Sequence, residues 1–198
     1  MFGTLFMRHF ALFIFAVAFL AVVGEAQDTK PIKPATTYRL GGASIITPDQ
    51  PDWVLLKSDT VQIVIEKRTK DEVMNASIKT LKVKPFASEL ETQQGLEAFK
   101  NEEIDKPNRD SLHYMYVRFK GLSCVQYDGN LVLDPAASPN KFKHNNFKGY
   151  LCPDPQTKGS AFQIEFSNYS NTKGFPNTFN DLSEEFFQNT KFPKPAPK

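Results

Sequence analysis

From Trp53 onward, apolar residues recur with a period of two in several short runs. Trp53-Val54-Leu55-Leu56 and Val61-Gln62-Ile63-Val64-Ile65 predict paired strands, with Val61, Ile63 and Ile65 on one face and a turn at Asp59-Thr60. From Met74 to Val83 the apolar set moves from Met74, Ala76 and Ile78 to Leu81 and Val83. That change of parity predicts a bulge or bend within one strand. The β pattern resumes from Leu112 to Phe119, turns at Lys120-Gly121 and continues from Ser123 to Tyr127, the signature of a hairpin. After a polar insertion from Asp134 to Asn146, Phe147 to Cys152 reads as another strand. Phe162, Ile164 and Phe166 alternate with Gln163, Glu165 and Ser167, the clearest half-buried strand in the chain.

Two segments follow a helical period instead. Ser88-Glu89-Leu90-Glu91 is a capping-box pattern that opens a helix reaching toward Ile104, although Gly95 weakens its interior and its apolar stripe is thin. Near the end, Phe179, Leu182, Phe186 and Phe187 stand at i, i+3, i+7 and i+8, a stripe wide enough to cover a sheet face. Thr178 or Asn180 is the expected cap. Strands, a helix, more strands and a final helix predict an α+β domain, a mainly antiparallel sheet packed by two helices.

The opening Trp53-Val54-Leu55-Leu56, the central helix, the Phe119-Lys120-Gly121-Leu122-Ser123-Cys124 turn and the closing Leu182-to-Phe192 segment resemble the PsbP/Mog1-like fold family. The resemblance lies in element order and a few hydrophobic positions. It implies a binding or assembly role, since that fold occurs in photosystem and nuclear-transport accessory factors and in many exported bacterial proteins. It carries over no functional residue, because a fold does not decide a function.

The ends read differently from the middle. Arg8 and His9 precede an unbroken apolar run from Phe10 to Val23, and Gly24-Glu25-Ala26 fits signal peptidase recognition, so residues 1–26 are expected to be a signal peptide cleaved after Ala26. The run is short for a membrane-spanning helix. Residues 27–40, with Pro31 and Pro34, read as a flexible tether, 41–192 as a single globular domain, and 193–198 as a disordered Pro/Lys tail. The expected location is therefore periplasmic or secreted. Processing removes one base, Arg8, and one acid, Glu25, so the net charge of +2 stands. So mild a balance argues against nucleic acid as a partner.

Export changes the reading of the two cysteines, Cys124 and Cys152. In an oxidising compartment a single disulfide tying the 121–127 strand to the 147–152 strand is expected, with neither Cys-x-x-Cys spacing nor a leftover thiol to suggest catalysis or metal binding. His113 and His144 are the histidines left after processing, and they form no metal-binding pair. His113 alternates with Met115, Val117 and Phe119, which predicts a strand histidine against the core or under a helix. Gly41-Gly42 lacks the lysine and hydroxyl of a phosphate loop. No catalytic residue, metal ligand or cofactor is therefore expected. Asn75-Ala76-Ser77 and Asn168-Tyr169-Ser170 match the glycosylation sequon, relevant only to a eukaryotic secretory route.

One segment has binding character. In Lys141-Phe142-Lys143-His144-Asn145-Asn146-Phe147-Lys148, cations interleave with aromatics inside the expected disulfide loop, and Lys141, Phe142, Lys143, His144, Phe147 and Lys148 are the candidates for an anionic surface. The expected function is a non-catalytic accessory or binding protein of the cell envelope, whose partner is an envelope protein or an anionic surface. The alternatives are a secreted hydrolase whose site assembles only in the fold, and a structural envelope protein acting by oligomerisation.

Overall fold

A computed structural model describes residues 30–85, 87–103, 109–134, 136 and 141–194. Residues 1–26, expected to be a signal peptide, and residues 195–198 of the expected tail lie outside the described residues. In chain order the elements are β1 (Lys30–Pro31), β2 (Thr37–Leu40), β3 (Ala43–Ile46), β4 (Trp53–Ser58), β5 (Gln62–Arg68), β6 (Glu72–Lys82), α1 (Glu89–Glu103), β7 (Arg109–Phe119), β8 (Leu122–Val132), β9 (His144–Pro153), β10 (Ser160–Ser170) and α2 (Asn177–Asn189). The class is α+β. Eight strands make one antiparallel sheet in the order β1-β4-β5-β6-β10-β9-β8-β7, and β2 and β3 form a separate hairpin.

The sheet is buried on both faces, each by a different helix. Ile63, Ile65, Met74, Ala76, Ile78, Phe162, Ile164 and Phe166 turn to α2 and the β2–β3 hairpin, where Phe179, Leu182, Phe186 and Phe187 of α2 meet them. On the opposite face, Leu81, Val125, Tyr127, Phe147, Leu151 and Ala161 pack with Leu96 of α1. The helices thus cover different parts of the sheet on its two sides. This explains the parity change in β6. No bulge occurs there: β6 pairs with β10 in unbroken register from Ser160↔Lys82 to Ser170↔Glu72. Met74, Ala76 and Ile78 serve one core and Leu81 the other. The register shifts instead in β4, between Leu55 and Lys57, and in β7, between Arg109 and Ser111.

The segment expected as a tether is partly built into the fold. Lys30 and Pro31 pair with Leu55 and Val54 of β4, Ile32 is buried, and Thr37–Leu40 pairs with Ala43–Ile46 across a Gly41-Gly42 turn. Single apolar residues between prolines carry no period, so Ile32 and Leu40 gave no strand signal. Gly41, with φ of 57°, supplies the backbone conformation that this turn needs. Past α2, Lys191 bridges to Ser44, and Phe192 packs edge-on to Phe119.

The first helix, α1, begins as local chemistry dictates. Ser88 caps α1: its Oγ accepts the Glu91 N–H at 3.2 Å, while Glu91 Oε2 accepts the Ala87 N–H at 3.1 Å. The expected cap of α2 is corrected. Pro176 holds the N-cap position and no side chain caps the helix, because Asn177 and Thr178 already lie within it. Asn180 instead donates through Nδ2 to the Phe175 carbonyl.

Candidate functional site

Among the described residues, a group of buried charges lies where α1 crosses β8, β9 and β10. Helical spacing places Lys100 one turn beyond Leu96, on the buried face of α1. Lys100 is 4% exposed, and its Nζ donates to Glu165 Oε2 and Glu103 Oε2 at 2.9 Å each. It also stands 4.5 Å from the centre of the Tyr127 ring. The Tyr127 hydroxyl donates to the same Glu165 oxygen at 2.7 Å. Gln163 Nε2 lies 3.2 Å from both Tyr127 Oη and Glu165 Oε2.

Backbone geometry makes this convergence possible. Gly149 of β9 stands between Tyr127 and Glu165 in the sheet. A Cβ there would run into the Tyr127 ring, so glycine lets the phenol lie across β9 toward Glu165.

The electrostatics bias Lys100, Glu165 and Tyr127, each in a definite direction. Burial opposes the charge on Lys100, but the carboxylates of Glu165 and Glu103 outweigh it and raise the ammonium above its ordinary pKa. Burial likewise pushes the Glu165 carboxyl up, yet Lys100 and the hydrogen bonds from Lys100, Tyr127 and Gln163 hold it below the usual value. Tyr127 is pushed well above its ordinary value by burial and by the Glu165 charge. Tyr169, further along β10, is pushed up to about 12, chiefly by burial and then by Glu165 and Glu66. Each of these three shifts favours the form its neighbours bind: charged Lys100, charged Glu165 and neutral Tyr127. General acid–base catalysis needs a group poised near the working pH. The shifts of Lys100, Glu165 and Tyr127 all run away from that range.

The basic-aromatic segment divides between surface and core. Lys141 and Lys143 are exposed, whereas Phe142 is buried and Phe147 packs in the α1-side core. His144 opens β9, its Nδ1 3.3 Å from Asn130 Oδ1. Lys148 points to the other side of the sheet. There it donates to Asn180 Oδ1 of α2 and stands 4.9 Å from the centre of the Phe175 ring. The six residues therefore do not share one surface. Alternation along β9 sends Phe147 and Lys148 to opposite faces, and sequence spacing alone concealed this.

Cys124 and Cys152 are joined by a disulfide between the neighbouring strands β8 and β9, with their Cα atoms 4.4 Å apart. His113 departs from expectation: it is exposed, because β7 is an edge strand and α2 does not extend over it. Neither sequon is presented as an open loop. Asn75 and Asn168 lie within β6 and β10, and Asn168 is fully buried, donating to Glu72 Oε2 at 2.7 Å. Among the described residues no three His, Cys, Asp or Glu side chains gather as a metal-ligand set, and no helix is long and apolar enough to cross a membrane.

The Lys100–Glu165–Tyr127 cluster escaped sequence reasoning. Gln163 and Glu165 occupy the polar positions of an alternating strand and look solvent-facing; the signal that they are covered is the α1 stripe itself, which places Lys100 beside Leu96. No family model matches the chain, and no curated protein matches it. Among solved structures, the chain is similar to LpqN, a protein involved in cell envelope biogenesis of Mycobacterium tuberculosis. The identity is 15% and the TM-score 0.47, over 83% of this chain and 90% of that one.

Proposed function

We propose that this protein is an exported, non-catalytic accessory protein of the cell envelope, of the kind its PsbP/Mog1-like resemblance implies. The observation that carries the non-catalytic part is the locked charge state of Lys100, Glu165 and Tyr127. They form the one buried acid–base constellation among the described residues, and it behaves as a structural clamp between α1 and the sheet. Export is supported by the leader-like pattern of residues 1–26 and by the Cys124–Cys152 bond, a linkage that persists in oxidising compartments.

The experiment expresses the full chain with its own leader in a Gram-negative host. The periplasmic fraction should contain a shortened protein that begins at Gln27 and has no free thiol. The purified product should turn over no ester, phosphoester or glycoside substrate. A cytoplasmic, reduced product would refute export, and turnover abolished by Glu165→Gln would refute the non-catalytic reading.

A further inference from the structure

Three asparagines stand side by side on the α2 face, near one end of the sheet. Asn130 of β8 pairs with Asn146 of β9, and Asn146 with Asn168 of β10. All three are buried. The segment 171–174, which leads from β10 toward α2, lies against this row and is held there by side chains. Asn146 Nδ2 donates to the Thr172 carbonyl at 3.1 Å, and Asn146 Oδ1 accepts the Gly174 N–H at 3.0 Å. Ser170 Oγ donates to the Thr172 carbonyl at 3.0 Å and accepts the Thr172 N–H at 3.3 Å. Lys173 adds an ion pair to Asp110 of β7. Because α2 follows directly behind Pro176 and has no side-chain cap, this strap sets where the helix begins, and Phe175 then stacks on Phe179.

The backbone decides how each amide in the network is turned. A carbonyl only accepts and an N–H only donates. Thr172 must therefore face Asn146 Nδ2, and Gly174 must face Asn146 Oδ1. Asn130 meets that same oxygen at 2.7 Å, so it has to present its own Nδ2 there. The atom left for His144 is Asn130 Oδ1, which lies 3.3 Å from Nδ1 of the ring. An oxygen in that place requires a proton on Nδ1. In a neutral imidazole one nitrogen donates and the other accepts, so the lone pair sits on Nε2. His144 is half-buried, and among the described residues nothing bonds its Nε2.

We propose that His144 is the latch of the 171–174 strap. Its neutral ring is held as the Nδ1–H tautomer, and that proton starts a one-way chain from His144 through Asn130 and Asn146 to the Thr172 carbonyl. With the proton on Nε2 instead, Nδ1 and Asn130 Oδ1 would be two facing acceptors. Asn130 could satisfy Nδ1 only by turning its amide over, which would set its oxygen against Asn146 Oδ1. Asn146 cannot turn in its place without losing both Thr172 and Gly174. A ring at the surface end of β9 thus controls the strap and, through it, the start of α2. His144 acts here as a positioning residue.

Nuclear magnetic resonance of the labelled ring in the full, disulfide-bonded chain, above the imidazole titration, reads the tautomer directly and should give the Nδ1–H form. His144→Asn carries an amide N–H in place of Nδ1 and should keep the Gly174 amide protected from exchange to within a few-fold of the native chain. His144→Asp has the same shape but offers acceptors alone, and should speed that exchange by about fivefold or more. A thermal scan of each variant reports whether the fold survives, and the tautomer of the native ring tests the proposal even where a variant fails to fold. A ring protonated on Nε2 overturns it. So does equal Gly174 exchange in the Asn and Asp variants.

Discussion

Replacing Lys100 with methionine tests the central cluster most directly. Each contact of Lys100 with Glu165 and Glu103 is 2.9 Å long, worth roughly 6 kcal/mol at an effective dielectric of about 20, before desolvation is charged against it. Burying the ammonium costs several kcal/mol, so the net contribution of the intact set is far smaller. The substitution removes the cation but leaves the Glu165 carboxylate in place. Breaking a buried pair in this way costs about 3–5 kcal/mol. Glu165 keeps its bonds from Tyr127 and Gln163, and its side chain is 22% exposed, which places the expected loss near the lower end, about 3 kcal/mol at pH 7.

The pH dependence gives the sharper discrimination. In the native protein the Glu165 carboxyl is held below its ordinary value of 4.5, so its contribution is present above that pH and is lost as pH falls through the folded value. Lys100 is held above its ordinary 10.5, so its contribution is present below that pH and is lost as pH rises through the folded value. In Lys100→Met, burial is opposed only by the hydrogen bonds from Tyr127 and Gln163, so the Glu165 carboxyl rises relative to the native protein, and acidification protonates it sooner and costs the variant less. Urea unfolding at pH 7 and pH 4.5 should therefore show the difference between variant and native protein shrinking in acid. A loss below about 1 kcal/mol at pH 7, or one equal at both pH values, would refute the reasoning.

Phe186→Ala should cost about 3–5 kcal/mol in denaturant unfolding, because the fully buried ring packs against Phe166 and Phe187. Thiol labelling of the unfolded, unreduced chain should find no free cysteine, and reduction should lower stability by about 3–4 kcal/mol given the separation of 28 residues. Gly149→Ala should lower the melting temperature by driving the Tyr127 ring away from Glu165, and the ultraviolet absorbance of the phenol should shift with it. Lys141→Ser/Lys143→Ser should leave stability within about 0.5 kcal/mol and reduce retention on anionic vesicles at low salt if this loop meets such a surface. Lys148→Ser should instead destabilise, through its lost bond to Asn180 and ring contact with Phe175.

Strand positions were legible wherever one face alternated cleanly, as at Ile63 and Ile65 and from Phe162 to Phe166. Both helices were legible from Ser88 and from the phenylalanine stripe of α2. The parity change at Ile78 and Leu81 was visible, but its cause was not. A bulge and a strand serving two cores give the same sequence pattern, and only the placement of α1 and α2 on opposite faces separates them. The β2–β3 hairpin left little trace because strands of four residues offer too few repeats for a period. The central cluster was hidden for a related reason. Lys100, Tyr127, Gln163 and Glu165 are each unremarkable in their own segments, and their meeting depends on pairings between distant parts of the chain.

The position of β10 has a consequence for how the chain reaches its native state. β4, β5 and β6 follow one another as a meander, and so do β7, β8 and β9, but the strand between these two halves is the last to be made. Until residues 160–170 arrive, β6 and β9 both present open edges and neither core has its central wall. The halves cannot reach their joint stability one at a time. Closing the sheet must bring Ser170 back to Glu72 across most of the domain, a non-local step of the sort that slows folding. The complete sheet, and with it both cores, therefore forms only once nearly all of the chain is available.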